Sequence, residues 1–238
     1  MNGVELAARY AFAPNCHGYC GTPSFSRVLK SGNTEAMENE LKKFRAHYAY
    51  LTLIARANAL EPFDKKAVEA FWIGNRLLES VSTQSLRRFI ARDLFAGRKT
   101  ARTEKLCKNL PEGALPHHSF NSLYINFVTD SVSRSVENYD SCCITAGKVI
   151  SSSEKSATLR RFSLARSAGS NFSLGAKNEV VDLERRGARF VASPKPGDIL
   201  SVHWGMAVQK LTDKDYLSLR KYTQANIRAC NDAQSNNR

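Results

Sequence analysis

No stretch of this 238-residue chain approaches the roughly 18 consecutive apolar residues that a membrane span requires. The amino terminus carries Arg9 and Pro14 and lacks the uninterrupted apolar core of a secretory signal. Both absences imply a soluble, cytoplasmic protein with no membrane partner. No Gly-rich phosphate loop of the Walker type and no dinucleotide fingerprint occurs, so no nucleotide cofactor is expected. Six cysteines fall short of the density of a secreted disulfide scaffold and read as reduced thiols, some of them candidate ligands. There is no basic tail and no interleaving of aromatic and basic residues of the RNA-binding kind. The formal charge of +13 is instead spread along the chain: 19 basic against 12 acidic residues up to position 135, and 16 against 10 beyond it. An acidic protein partner fits that distribution, and nucleic acid is not the expected partner. No internal repeat is present.

What is there divides in two. From Glu35 to Leu60, Met37, Leu41, Phe44, Tyr48, Leu51, Ala55 and Ala59 recur at three and four, the period of one helical face. Pro62 interrupts. A second helix is expected from an Asp64 cap, turning Val68, Phe71, Trp72 and Leu78 inward, and a third through Leu86, Phe89, Ile90 and Leu94 to a stop at Gly97. The polar, basic stretch from Arg98 to Lys108 reads as a connecting loop or a frayed helix.

The period then changes. Short apolar or alternating runs around Ile144 to Ile150, Ala157 to Leu164, Val180 to Leu183 and Ile199 to Val202 are separated by Ser, Gly, Asn and Pro clusters, the pattern of a small antiparallel sheet or barrel. Pro194, Pro196, Gly197 and Asp198 make a tight approach to the last of these strands. Thr212 and Asp215 form a capping box for a helix that lines up Tyr216, Leu219, Thr223 and Ile227. The fold class is therefore α+β: a helical domain over 1–135 and an OB-like antiparallel β-barrel with a carboxy-terminal helix over 136–238. The boundary is expected near 130–140, where Asp130, Ser131, Ser133, Ser135, Asn138 and Asp140 dilute the apolar pattern.

Four places hold thiols or imidazoles suited to zinc, iron, nickel or copper: Cys16, His17 and Cys20; His117 and His118; Cys142 and Cys143; and His203. Their spacing does not make a zinc ribbon, because Cys16 and Cys20 have no second matching pair. Cys107 and Cys230 read as buried small hydrophobes. His117 and His118 read either as a pair with one ring facing a site and the other solvent, or as a helix cap and a core histidine.

The run Cys142, Cys143, Ile144, Thr145, Ala146, Gly147, Lys148, Val149, Ile150 resembles the opening of the hydrogenase-assembly chaperones of the HypC/HupF type, in which a cysteine precedes a Gly-Lys-Val strand by five residues. That match selects Cys142. Pro196 to Ala207, with a Gly-Asp turn, a strand ending in Val202-His203 and then Gly205-Met206-Ala207, is similar to the family's second signature, and a helix follows in both. The likeness spans residues 140–230. It implies a binding protein without turnover, in which Cys142 and His203 hold an iron carrying cyanide and carbon monoxide, Fe(CN)2CO, on its way to a hydrogenase large-subunit precursor or related metalloenzyme, with a second maturation protein as partner. A thiolate is a strong donor to such iron, and the reading places Cys142 at the exposed start of a strand and His203 at the rim of the barrel. The whole chain, through Gly18 to Gly21, Glu69 to Asn75 and Pro116 to Phe120, also looks like an uncharacterised bacterial and archaeal family of this length, which makes Cys20, His117 and His118 candidates for the opposite wall. One alternative is a zinc or iron metalloenzyme in which Cys20, His118, Cys142 and His203 converge and Glu69 serves as acid or base. A further alternative is a metal-free interaction module.

Overall fold

The computed structural model describes residues 1–95, 100–126, 133, 135–167 and 171–235. The expected helix stop at Gly97, and Asp130 and Ser131 of the expected linker, lie outside the described residues. No helix among those described is long and apolar enough to cross a membrane.

The first helix, α1 (Gly3–Cys16), has no counterpart in the sequence reading and runs through the middle of the molecule. Asn2 and Glu5 cap it reciprocally, each side chain accepting from the other's backbone N–H at 2.9–3.0 Å. Leu6, Ala7, Ala8, Tyr10, Phe12 and Ala13 are all inaccessible to solvent. Then come α2 (Phe25–Ser31), α3 (Thr34–Lys42) and α4 (Arg45–Ala57). The single helical face expected over Glu35–Leu60 is thus broken at Phe44, whose backbone leaves helical geometry at ψ 76°. Its ring packs edge-on against Phe25 at 4.8 Å and lies so close over Gly21 that any side chain there would collide with it. Tertiary packing wins over local period at that point.

Helix α5 (Lys65–Trp72) starts at the expected Asp64 cap, which accepts from the Lys66 N–H at 2.7 Å. Helix α6 (Thr83–Phe89) continues as a π-turn over Ile90–Leu94. The stretch read as loop or frayed helix contains α7 (Ala101–Lys108), capped by Thr100. Helix α8 (His118–Phe120) runs into a second π-turn, Asn121–Ile125, and α9 (Val136–Cys142) is capped by Ser135.

The strands are β1 (Thr145–Ser152), β2 (Ser156–Arg166), β3 (Phe172–Asp182), the two-residue pair β4 (Glu184–Arg185) and β5 (Ala188–Arg189), β6 (Ile199–His203) and β7 (Met206–Leu211). Five of them close in the order β1-β2-β3-β7-β6, with β6 returning to β1. All these pairings are antiparallel except one parallel bridge from Asp182 of β3 to Met206 of β7. Strand β7 was not expected. A separate apolar cluster fills the enclosure, with Val149, Leu159, Val181, Leu200 and Val202 among its members. Helix α10 (Asp213–Ser235) begins at the expected capping box, where Thr212 and Asp215 exchange bonds at 3.1–3.2 Å. The chain is α+β.

Packing crosses the expected division after residue 135. One large core joins Tyr10, Phe71 and Trp72 of the helical half to Ile144, Met206, Val208 and Leu219 of the second half. The Tyr10 hydroxyl donates to Ser201 Oγ on β6 at 2.9 Å. A buried ion cluster fixes α9 to the barrel: Arg161 on β2 forks onto both oxygens of Asp140 at 2.6 and 3.1 Å, and Asp140 also accepts from the Leu164 N–H at 2.7 Å. Burial alone would raise the Asp140 carboxyl, but the Arg161 guanidinium and the other donors bring it below its usual range. Cys142, two residues further on, is therefore held on a rigid element.

Candidate ligand cavity

Between the helical half and the open end of β6 lies a cavity of ≈ 270 Å³. Cys20, His118, Cys142 and His203 all line it, together with His47, Trp72 and Asn121. Residues 20, 118, 142 and 203 come from a loop, a short helix, a helix end and a strand end, so only the tertiary fold brings them together. His117 does not join them. Its ring caps α8, accepting from the Ser119 N–H at 3.2 Å, and it is buried: of the two readings of this pair, the helix cap holds and the solvent-facing ring does not. Cys143 is buried and does not line the cavity, and Cys16, the last residue of α1, is half-buried. Glu69, the expected acid or base of the enzyme alternative, pairs with Lys65 and does not line the cavity.

Two expectations about position need correcting. Cys142 is not at the exposed start of a strand; it is the last residue of α9 and buried, because Ser135 caps a helix where a linker was expected. His203 does end β6, but only 1 % of it is exposed, since α1 covers that end of the barrel.

His203 has a defined tautomer. Its Nδ1 lies 2.7 Å from the Tyr10 carbonyl oxygen, which can only accept, so the proton sits on Nδ1 and Nε2 carries a lone pair. That Nε2 is buried and has no hydrogen-bond partner among the described residues. Burial pushes the ring down to about 4, outweighing the carbonyls of Tyr10 and Cys142, and so keeps it neutral. His118 stands perpendicular to it, ring centres 5.1 Å apart, and burial together with the neighbouring imidazoles drives it well down as well. The Trp72 ring lies tilted against His118 at 4.6 Å and His47 at 5.1 Å. The unpaired atoms at this wall extend beyond His203: Trp72 Nε1, Asn121 Oδ1 and both nitrogens of His47 are buried without partners among the described residues. Each such atom costs about 1–3 kcal/mol when nothing satisfies it. Four residues on one wall carry them, and each such atom calls for an explanation, an ordered water or a bound group among them.

The thiols are protonated at rest. Cys142 Sγ accepts from Ser122 Oγ at 3.3 Å and from Asn126 Nδ2 at 3.6 Å, donors suited to a thiolate, yet burial still raises it to about 11. Cys20 belongs to an exposed loop, but its thiol is withdrawn from water and raised to about 12, with Cys142 adding to the shift. Among the described residues, no three His, Cys, Asp or Glu side chains are grouped so as to hold a metal ion.

The mouth is aromatic. Tyr19 stacks on Trp204 at 4.4 Å, and both line the cavity. Trp204 and Gly205 form the β6–β7 turn with φ of +49° and +70°, a two-residue turn of the primed kind in which a bulky first residue is rare. Arg185 braces it by donating to the Trp204 carbonyl at 2.8 Å. Arg45, exposed at the rim, makes no ion pair with any described residue.

A helical lobe closing one end of a small barrel over a thiol- and imidazole-lined cavity is the class that fold and site define. Residues 1–237 match a family of unknown function (DUF6390), and the chain belongs to it. No curated protein and no solved structure matches the chain.

Proposed function

We propose that this chain is a carrier or assembly factor whose cavity takes a small iron complex that brings its own cyanide and carbon monoxide ligands, for delivery to a hydrogenase large-subunit precursor or related metalloenzyme with the help of a second maturation protein. The observation that carries the reading is the buried, unpaired Nε2 lone pair of His203, oriented by a carbonyl on the opposite nitrogen, on the same cavity as the Cys142 thiol. Metal-bound histidines are held in this way. A complex that brings most of its own ligands needs few from the protein, which suits a cavity that gathers no three donors for a bare ion. Its volume of ≈ 270 Å³ leaves room for such ligands. The Trp72 N–H offers cyanide nitrogen a donor, and Arg45 puts positive charge near an anionic complex. Cys142 would lose its proton on binding, with Ser122 and Asn126 already placed to stabilise the thiolate. The small five-stranded barrel, read as OB-like, serves as the rigid mount for one wall.

The test is infrared spectroscopy with metal analysis on protein purified without oxygen from a host that expresses hydrogenase-maturation machinery. Wild type should carry iron and show cyanide and carbon monoxide stretching bands; Cys142→Ala and His203→Gln should lose them while keeping the wild-type circular dichroism. Iron or zinc without those bands would replace this reading with a metalloenzyme, and a metal-free wild type would leave an interaction module.

A further inference from the structure

Strand β3 has one partner side and one bare side. It pairs with β2 without a bulge from Ser156↔Asp182 to Arg166↔Phe172, whereas on its other edge only Asp182 reaches β7. The direction of its backbone groups follows from its two ends. The Phe172 N–H and C=O bond the Asn231 side chain at 2.9 and 2.8 Å, and the Asp182 N–H bonds the Gly205 carbonyl at 2.9 Å, all on the side away from β2. Direction alternates along a strand, so the backbone groups of Leu174, Ala176, Asn178 and Val180 also point to that side. No described residue pairs with them. β3 contains no proline, one of the devices that blunt such an edge, and its charged residues Lys177 and Glu179 belong to the alternate set whose backbone groups face β2.

Beside this edge runs a groove walled by α10. Leu174 forms its floor, and Leu217, Arg220, Gln224 and Arg228 line it. Leu217 is 62 % exposed and Val180 on the strand 65 % exposed, two of the few large apolar side chains the protein leaves in water. Arg220 and Arg228 are exposed and make no ion pair with any described residue, while Lys221 is already engaged by Glu79 and Lys177 by Asp140 and Glu179.

We infer that the edge of β3 and the basic face of α10 together dock an extended, acidic segment of a partner protein, which adds a strand to the barrel. The bare backbone ladder calls for a strand, Val180 and Leu217 for an apolar side chain on it, and Arg220 and Arg228 for carboxylates. Nucleic acid is a poorer fit: the groove presents no free aromatic face for a base, the Tyr216 ring being covered by Arg220. This surface and the cavity do not share lining residues, so the inference stands or falls independently of the iron reading.

A terminally blocked peptide alternating Val and Glu, with a fluorescent label, tests it by anisotropy against the full chain, with a Val and Lys peptide as control. The Val and Glu peptide should bind, weaken with salt, and slow hydrogen exchange at the amides of Leu174, Ala176, Asn178 and Val180. Asn178→Pro removes one outward N–H without touching the β2 ladder and should weaken binding about tenfold or more. Arg228→Glu, on an exposed helix surface, should do the same and keeps the test decisive if the proline variant unfolds. Absence of binding, equal binding of the Val and Lys peptide, or binding unchanged in folded variants would overturn the inference. A wild-type dimer in sedimentation that Asn178→Pro abolishes would overturn it too, by making a second copy of this chain the occupant.

Discussion

The inside of the barrel and the cavity at its end lie one strand residue apart and follow opposite rules. Val202 of β6 packs in the apolar cluster inside the barrel with Val149, Leu159, Val181 and Leu200. His203, the next residue, turns to a wall where four residues carry buried polar atoms without partners. Because a strand alternates faces, one short element serves both. The first region contributes stability. The second gives some of it up to keep donors and acceptors ready for an occupant, a pattern expected of functional sites.

The comparison can be broken first at the barrel. Leu159 is fully buried there, and Leu159→Ala should cost about 2–5 kcal/mol in urea unfolding, while leaving any metal bound by the folded fraction in place. Loss of the metal under folding conditions would mean that the two regions are not separable. Between pH 7.5 and 5, acid should act through the buried imidazoles, those of the cavity wall and that of His117, rather than through the barrel interior. His47 and His203 are held at about 3 and about 4 when folded, so between those values and 6.5 the unfolded chain binds more protons and stability falls with pH. Stability present at pH 7.5 should drop by about 2 kcal/mol for each of these rings by pH 5, measured by denaturant midpoints. His47→Leu should remove its share of that slope. At pH 7.5 the same substitution should be the smallest effect, within about 1 kcal/mol of wild type or slightly stabilising, because it deletes two unpaired atoms and keeps the volume. A large loss from His47→Leu at neutral pH would show that this wall is core after all.

The two halves of the chain also differed in how openly they announced themselves. The Asp64 and Thr212 caps and strands β1, β2 and β6 were legible because short-range chemistry fixes them: a side chain meets a backbone N–H two or three residues on, or apolar residues alternate. Helix α1 was hidden by its own burial. A helix buried over most of its surface, with Glu5 and Arg9 left partly exposed, has too narrow a polar side for a clear period to show. Strand β7 was hidden by its turn, since Trp204-Gly205 carries none of the Asn-Gly or Asp-Gly signal that marks a tight hairpin. For the cavity, sequence supplied Cys20, His118, Cys142 and His203 by residue type and by likeness. His47, Trp72 and Asn121 were absent from that set because nothing local distinguishes a histidine or tryptophan on a helix face from ordinary core. Their unpaired polar atoms become visible only when the neighbours are in place.

Gly147 belongs to the Gly-Lys-Val run on which part of the likeness rests, yet it has no side chain with which to do chemistry. A methyl group at that position would strike the backbone of Arg160 and Arg161 on β2. It sits on the strand that pairs with β2 on one side and with β6 on the other, opposite Leu200. Arg161 anchors Asp140, and through it the helix that ends in Cys142; β6 ends in His203. One missing methyl group thus sets the gap between two strands from which the sulfur and the imidazole are each suspended, and any residue but glycine there would throw both out of alignment without touching either.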